Sequence, residues 1–170
     1  MKRNIIIVVC LIFILGLSGC NIHTNKDGSR ERNYQGNIET IYFTHGAVFR
    51  AYGDVTAYKV DLTNNAFYEI APDAEPDVDL WGTPEGDADF VFVSDLDDDA
   101  IDTFFRESAR HGLTNWKSSY RDNSIMDGSS WNIKIVFSDR DPMESTGLNK
   151  YPATWDKVME DFKDLTGKNF

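Results

Sequence analysis

The residues best suited to chemistry in this 170-residue chain are carboxylates, and they are gathered rather than scattered. From Val60 to Phe105 there is no Lys or Arg and there are 14 acids, among them Asp73, Glu75, Asp77, Asp79, Glu85, Asp87, Asp89, Asp95, Asp97, Asp98 and Asp99. Within that run, Asp95-x-Asp97-x-Asp99 begins as a calcium loop begins, with oxygen ligands at alternate positions. The pattern then breaks: Ala100 stands where a calcium loop needs glycine, and Arg106 where its bidentate Glu belongs. Weak Ca2+ binding between this segment and the 73–89 loop is left open, and no other cofactor is expected. The simpler expectation is a solvated acidic face, with Asp97 to Asp99 complementing the positive end of a helix. A pair of carboxylates could serve glycoside hydrolysis, but so many acids make the choice of any one pair arbitrary.

Other chemistries have fewer candidates. His23, His45 and His111 do not form a His-x-x-x-His pair or any similar ligand spacing, so no metal site is expected. His111, near a helix end, is expected to meet the last carbonyls, and His45, beside Gly46, to be a turn or edge residue. No Gly-x-Ser-x-Gly, Walker or dinucleotide glycine pattern occurs. Ser129-Ser130 has no base nearby in sequence, and no catalytic residue is assigned. Of the four tryptophans, Trp131 and Trp155 fit the core-facing stripes of their elements. Trp81 and Trp116 fall in loops and are the better candidates for contacting a ligand or partner.

The elements that would position these groups can be read from periodicity. Thr40 to Phe49 and Val55 to Leu62 have strand composition, Thr63-Asn64-Asn65 signals a turn, and Ala66 to Ile70 resumes the strand pattern. Residues 71–89, with three prolines and two glycines, read as a loop. Phe90-Val91-Phe92-Val93 is a strand or the lead into a helix. Ser94 or Asp95 can cap that helix, Ile101, Phe104, Phe105 and Ala109 give it one apolar stripe, and Gly112 ends it. Residues 113–129 look irregular, anchored by Leu113, Trp116 and Tyr120. Ser130 to Phe137 alternates, with Trp131, Ile133, Ile135 and Phe137 on one face, and Met143 to Leu148 can pair with it. Trp155, Val158, Met159, Phe162 and Leu165 form the clearest helical stripe, closed by Gly167. Strands joined by short turns, interrupted by helices with one apolar stripe, predict an α+β fold. The expected form is an antiparallel sheet of about five or six strands with two main helices packed on one face.

The first twenty residues carry a different message. Lys2 and Arg3 precede an apolar run from Ile5 to Leu17, and 13 residues of helix reach only roughly 20 Å, short of a bilayer core. A basic start, a short apolar stretch and small residues describe a cleaved export signal. Leu17-Ser18-Gly19-Cys20 resembles the lipobox of bacterial lipoproteins. That resemblance implies cleavage before Cys20, a diacylglycerol on its thiol, and a cell-membrane location on the extracytoplasmic side. The domains expected are therefore a signal peptide 1–19, a flexible polar tether 20–37 and a single domain 38–170. Two or more acyl chains give stable anchoring. Cys10 departs with the signal and Cys20 carries lipid, leaving no disulfide.

Removing the signal also removes two of the 17 cations, leaving 15 Lys and Arg against 28 acids, a net charge of −13. Such a domain is repelled by nucleic acid and by anionic head groups, so lipid must hold it at the membrane. The partner expected is a basic protein, a cation or a glycan. Farther along, Asp127-Gly128-Ser129-Ser130-Trp131 and Asn149-Lys150-Tyr151-Pro152-Ala153-Thr154-Trp155 resemble segments of small uncharacterised domains of secreted lipoproteins, over roughly residues 90–168. The resemblance implies a fold and no activity. The leading functional expectation is a non-enzymatic binding module with an acidic face, and the alternative is an envelope hydrolase using paired carboxylates.

Overall fold

A computed structural model describes residues 38–47, 56–72, 90–125 and 128–170. The elements are β1 (Ile38–Ala47), β2 (Thr56–Asp61), β3 (Ala66–Ile70), β4 (Phe90–Asp95), α1 (Asp98–Arg110), β5 (Ser119–Arg121), β6 (Ser129–Phe137), β7 (Met143–Leu148) and α2 (Trp155–Thr166). The strands form one sheet in the order β4-β3-β2-β1-β6-β7-β5. Neighbours are antiparallel except β5, which runs parallel to β7. The chain is thus α+β with seven strands, rather than five or six.

The strand that periodicity missed is β5. Its three residues are too few to show an alternation, and tertiary contacts create it. The Thr146 N–H donates to the Ser118 carbonyl at 3.1 Å, and the fully buried Ser145 hydroxyl donates to the Lys117 carbonyl at 2.6 Å. β1 is central, between β2 and β6, and continues through Gly46 without turning. His45 therefore sits in an interior strand with an exposed side chain, not at a turn or edge.

Register places Ile41 beside Val60 and Ile135, and Phe43 beside Tyr58 and Ile133. These side chains, with Phe67, Trp131 and Phe137, form the sheet's contribution to the core, and period-two alternation brings them to a common face. The hairpin between β2 and β3 is closed by Asp61. Its carboxylate accepts the N–H groups of Thr63 at 3.1 Å and Asn64 at 2.9 Å, while Asn65 takes φ +53°. An Asx-type turn of this kind needs a short side-chain acceptor and a residue that tolerates positive φ.

The cap of α1 is Asp97, not Ser94 or Asp95, because those two still pair with Phe67 and Ala66 across β3 and β4. Its carboxylate accepts the Asp99 N–H at 3.0 Å and the Ala100 N–H at 3.1 Å. Ile101, Phe104 and Phe105 are buried as the stripe requires, and the fourth inward residue is Ser108 rather than Ala109. The Ser108 hydroxyl satisfies itself on the Phe105 carbonyl at 3.4 Å. In α2, Val158, Met159, Phe162 and Leu165 are buried, and Gly167 at φ +74° closes the helix. Both stripes join the same core as the sheet residues, and Phe43 touches Trp155 and Phe162 at ring separations of 5.9 and 6.5 Å. Beyond α2 the terminal Phe170 ring folds back to 4.5 Å from Tyr58.

Candidate functional site

The three aspartates singled out by sequence lie where β4 hands the chain to α1. Asp95 ends the strand, Asp97 is the helix cap, and Asp99 is in the first turn; all three are exposed, as is Asp98. The Asp97 oxygen that a calcium loop would offer to metal is occupied by two backbone N–H groups. Asp98 accepts the Asn65 side-chain amide at 2.9 Å. Among the described residues, no group of three or more His, Cys, Asp or Glu side chains is placed to hold a metal ion.

The strand feeding these acids is unusual for its own reason. β4 ends the sheet, and among the described residues no strand pairs with its outer edge. Val91 and Phe92 are each 53% exposed and Val93 41%. Sequence read this apolar run as strand or helix lead-in; its exposure follows from its position at the sheet's margin. The candidate surface therefore joins an apolar edge strand to a cluster of negative charge.

A second set of carboxylates converges between the helices. Asp99, Thr103, Glu107, Asp161 and Asp164 line a cleft of about 270 Å³ whose apolar lining includes Ala100, Phe104 and Leu165. At its end the His111 Nδ1 meets the Asp161 Oδ2 at 2.8 Å, with only 17% and 9% of the two side chains exposed. Burial pushes the Asp161 carboxyl above the ordinary carboxylate range. The His111 contact opposes the rise, and the charges of Glu107 and Asp164 add to it. Glu107 is itself engaged by Arg110 at 2.5 Å and Arg106 at 3.2 Å. His111 thus bonds across to α2 through its ring, while its backbone N–H reaches the Glu107 carbonyl at 2.8 Å. Sequence missed this partnership because the residues are 50 positions apart.

Trp116 is not a surface residue. It is 8% exposed, stacked on Trp155 at 5.6 Å and edge-on to Trp131 at 5.7 Å, and its indole N–H donates to the Thr154 hydroxyl at 3.1 Å. Its reading as a loop anchor holds, and its reading as an exposed binding tryptophan does not. The two segments around Gly128 and Asn149 meet here. Asn149, at φ +55°, accepts the Ser129 N–H at 3.0 Å through its side chain and donates to the Ile125 carbonyl at 3.2 Å. Trp131 donates to the Lys150 carbonyl at 3.0 Å, and the Ser129 hydroxyl hydrogen-bonds the Tyr151 hydroxyl. These contacts make the two segments part of the packing around Trp131.

Cys20, Trp81 and the 73–89 stretch lie outside the described residues. No described helix is long and apolar enough to cross a membrane. Comparison with protein-family models, with curated proteins and with solved structures returns no match.

Proposed function

We propose that the protein is a lipid-anchored, extracytoplasmic binding module whose partner is basic and docks on the surface made by β4 and the start of α1. In this reading both helices cover one face of the sheet, Cys20 carries the anchor, and residues 20–37 lift the domain from the membrane. The observation that carries the reading is the juxtaposition at one margin of the sheet. Val91, Phe92 and Val93 stand exposed, directly followed by the exposed Asp95, Asp97, Asp98 and Asp99. Contiguous exposed apolar side chains rimmed by charge mark interaction surfaces. A stretch of one charge sign speeds the capture of the opposite sign. The lipid part rests on the sequence of residues 1–20, with its basic start, short apolar run and Leu17-Ser18-Gly19-Cys20.

Two measurements test the reading separately. Cys20→Ser should release the protein from membranes or leave it unprocessed; a variant that is cleaved normally and stays membrane-bound refutes the anchor. Binding of basic proteins should weaken as salt rises toward about 0.15 M, where exposed charges are screened beyond about 8 Å. Salt-insensitive binding of a neutral ligand elsewhere would refute the acidic surface. The alternative, a hydrolase using paired carboxylates, has one supporting observation: the raised Asp161 carboxyl in a cleft with Glu107 and Asp164. Turnover of a glycoside that is lost on Asp161→Asn would put that reading first.

A further inference from the structure

We infer that the outer edge of β4 takes up an extended peptide segment of alternating apolar and basic residues, which adds to the sheet as an eighth strand. The inference rests on the binding-module reading and names its partner's chemistry.

Among the described residues β4 has one neighbour, β3, and a strand so placed leaves the N–H and C=O groups of alternate residues pointing away from the sheet, ready to pair with another extended chain. Proteins ordinarily blunt such an edge with a charge, a proline or a bulge. In β4 the ladder with β3 skips Val93, since Phe67 pairs with Ser94 and Tyr68 with Phe92, so a bulge at Val93 confines regular edge pairing to Phe90–Phe92. The run Phe90 to Val93 contains no charge and no proline. From Phe90 to Phe92 the side chains alternate across the sheet, with Phe92 packing edge-on against Tyr68 at 5.9 Å and Val91 paired with Glu69 on the other face. An incoming strand would find apolar contacts on both faces, as strand addition requires.

Charge decides the occupant. Asp95 closes the strand, and Asp97, Asp98 and Asp99 follow, all exposed. No Lys or Arg occurs between Val60 and Phe105. A second copy would bring the same exposed acids, Asp95 and Asp97 to Asp99, and no Lys or Arg on this strand to neutralise them. Like charges so placed are destabilising, whereas Lys or Arg side chains on a foreign strand would be attracted to them.

The test uses the full chain in neutral detergent and a fluorescent octapeptide of alternating Val and Lys. Controls are the same peptide with alternate N–H groups methylated, a Val–Glu counterpart, and the variants Phe92→Lys and Asp95→Lys/Asp99→Lys. Each backbone hydrogen bond is worth roughly two- to tenfold in affinity, so methylation should weaken binding by about tenfold or more. Phe92→Lys should weaken it similarly, the double aspartate variant should remove its salt dependence, and the Val–Glu peptide should not bind. Equal binding of the methylated peptide would overturn strand addition while leaving a basic partner in place. Failure of every basic peptide to bind would overturn the binding-module reading as well. Self-association that is lost on Phe92→Lys would overturn the foreign strand in favour of a second copy.

Discussion

Gly147→Ala should be among the most damaging single methyl additions available in this protein. A Cβ at position 147 would lie 1.8 Å from the Trp131 Nε1, 2.1 Å from its Cε2 and 2.6 Å from its Cζ2. The indole has nowhere to retreat. It is 2% exposed, its ring centre is 4.7 Å from that of Trp155 and 5.9 Å from that of Tyr120, and it is bonded to the Lys150 carbonyl at 3.0 Å. Overpacking of a filled core costs about 1–3 kcal/mol. Loss of a buried hydrogen bond adds about 1–3 kcal/mol, so the sum is about 2–6 kcal/mol. Against a whole-domain stability on the order of 5–15 kcal/mol, that is a large fraction. The melting temperature should fall by roughly 10 °C, taking about 2–4 °C per kcal/mol for a domain near this size. Urea unfolding and near-ultraviolet circular dichroism measure the stability and the tryptophan packing together. Trp131→Phe removes the atoms nearest the new methyl, so the double variant should cost less than the two single costs added, by about 0.5–3 kcal/mol. A Gly147→Ala protein within about 0.5 kcal/mol of wild type, with an unchanged near-ultraviolet spectrum, would refute the packing argument.

Three further outcomes follow from the same structure. Phe162→Ala, at a position with 0% exposure, should cost about 3–5 kcal/mol in denaturant melts, while Lys163→Ala on the exposed side of α2 should change stability by less than about 0.5 kcal/mol. Asp97→Ala removes both capping bonds of α1 and should cost about 0.5–2 kcal/mol by the same assay, with Asp97→Ser recovering most of it. The carboxyl of Asp161 is raised by burial, so above the ordinary carboxylate value the native state holds a proton that the unfolded chain has lost. That contribution to stability is present at low pH and fades as pH rises through the folded value. Relative to wild type, Asp161→Asn should therefore gain stability as pH rises through that window, and parallel urea titrations of the two proteins that never diverge would count against a raised carboxyl.

Much of the fold was legible because strong local periodicity and burial agree. In β6, Trp131, Ile133, Ile135 and Phe137 alternate in sequence and all four are buried. In α2, Val158, Met159, Phe162 and Leu165 recur at helical spacing and face the same core. Where a residue could serve two elements, sequence placed the boundary wrongly. Asp95 is a sound helix cap by type, but it remains in the β3–β4 ladder and the cap moves to Asp97. By sequence Trp116 fits both an anchor and an exposed ligand residue, because a loop residue between elements has no period to say which way it faces. Two neighbouring elements settle it as core, β6 through Trp131 and the start of α2 through Thr154 and Trp155.

The sequence by itself determined the type of most elements and the acidic stretch from Val60 to Phe105, since these depend on residue types at short separations. Tertiary structure alone decided the sheet order, the short parallel strand β5, the contact of His111 with Asp161, and the exposure of Val91, Phe92 and Val93 at the margin of the sheet. Each of these joins residues far apart along the chain, or turns on which strand has a neighbour. Local propensity carries no information about such pairings; they are settled when the apolar faces of sheet and helices are buried together.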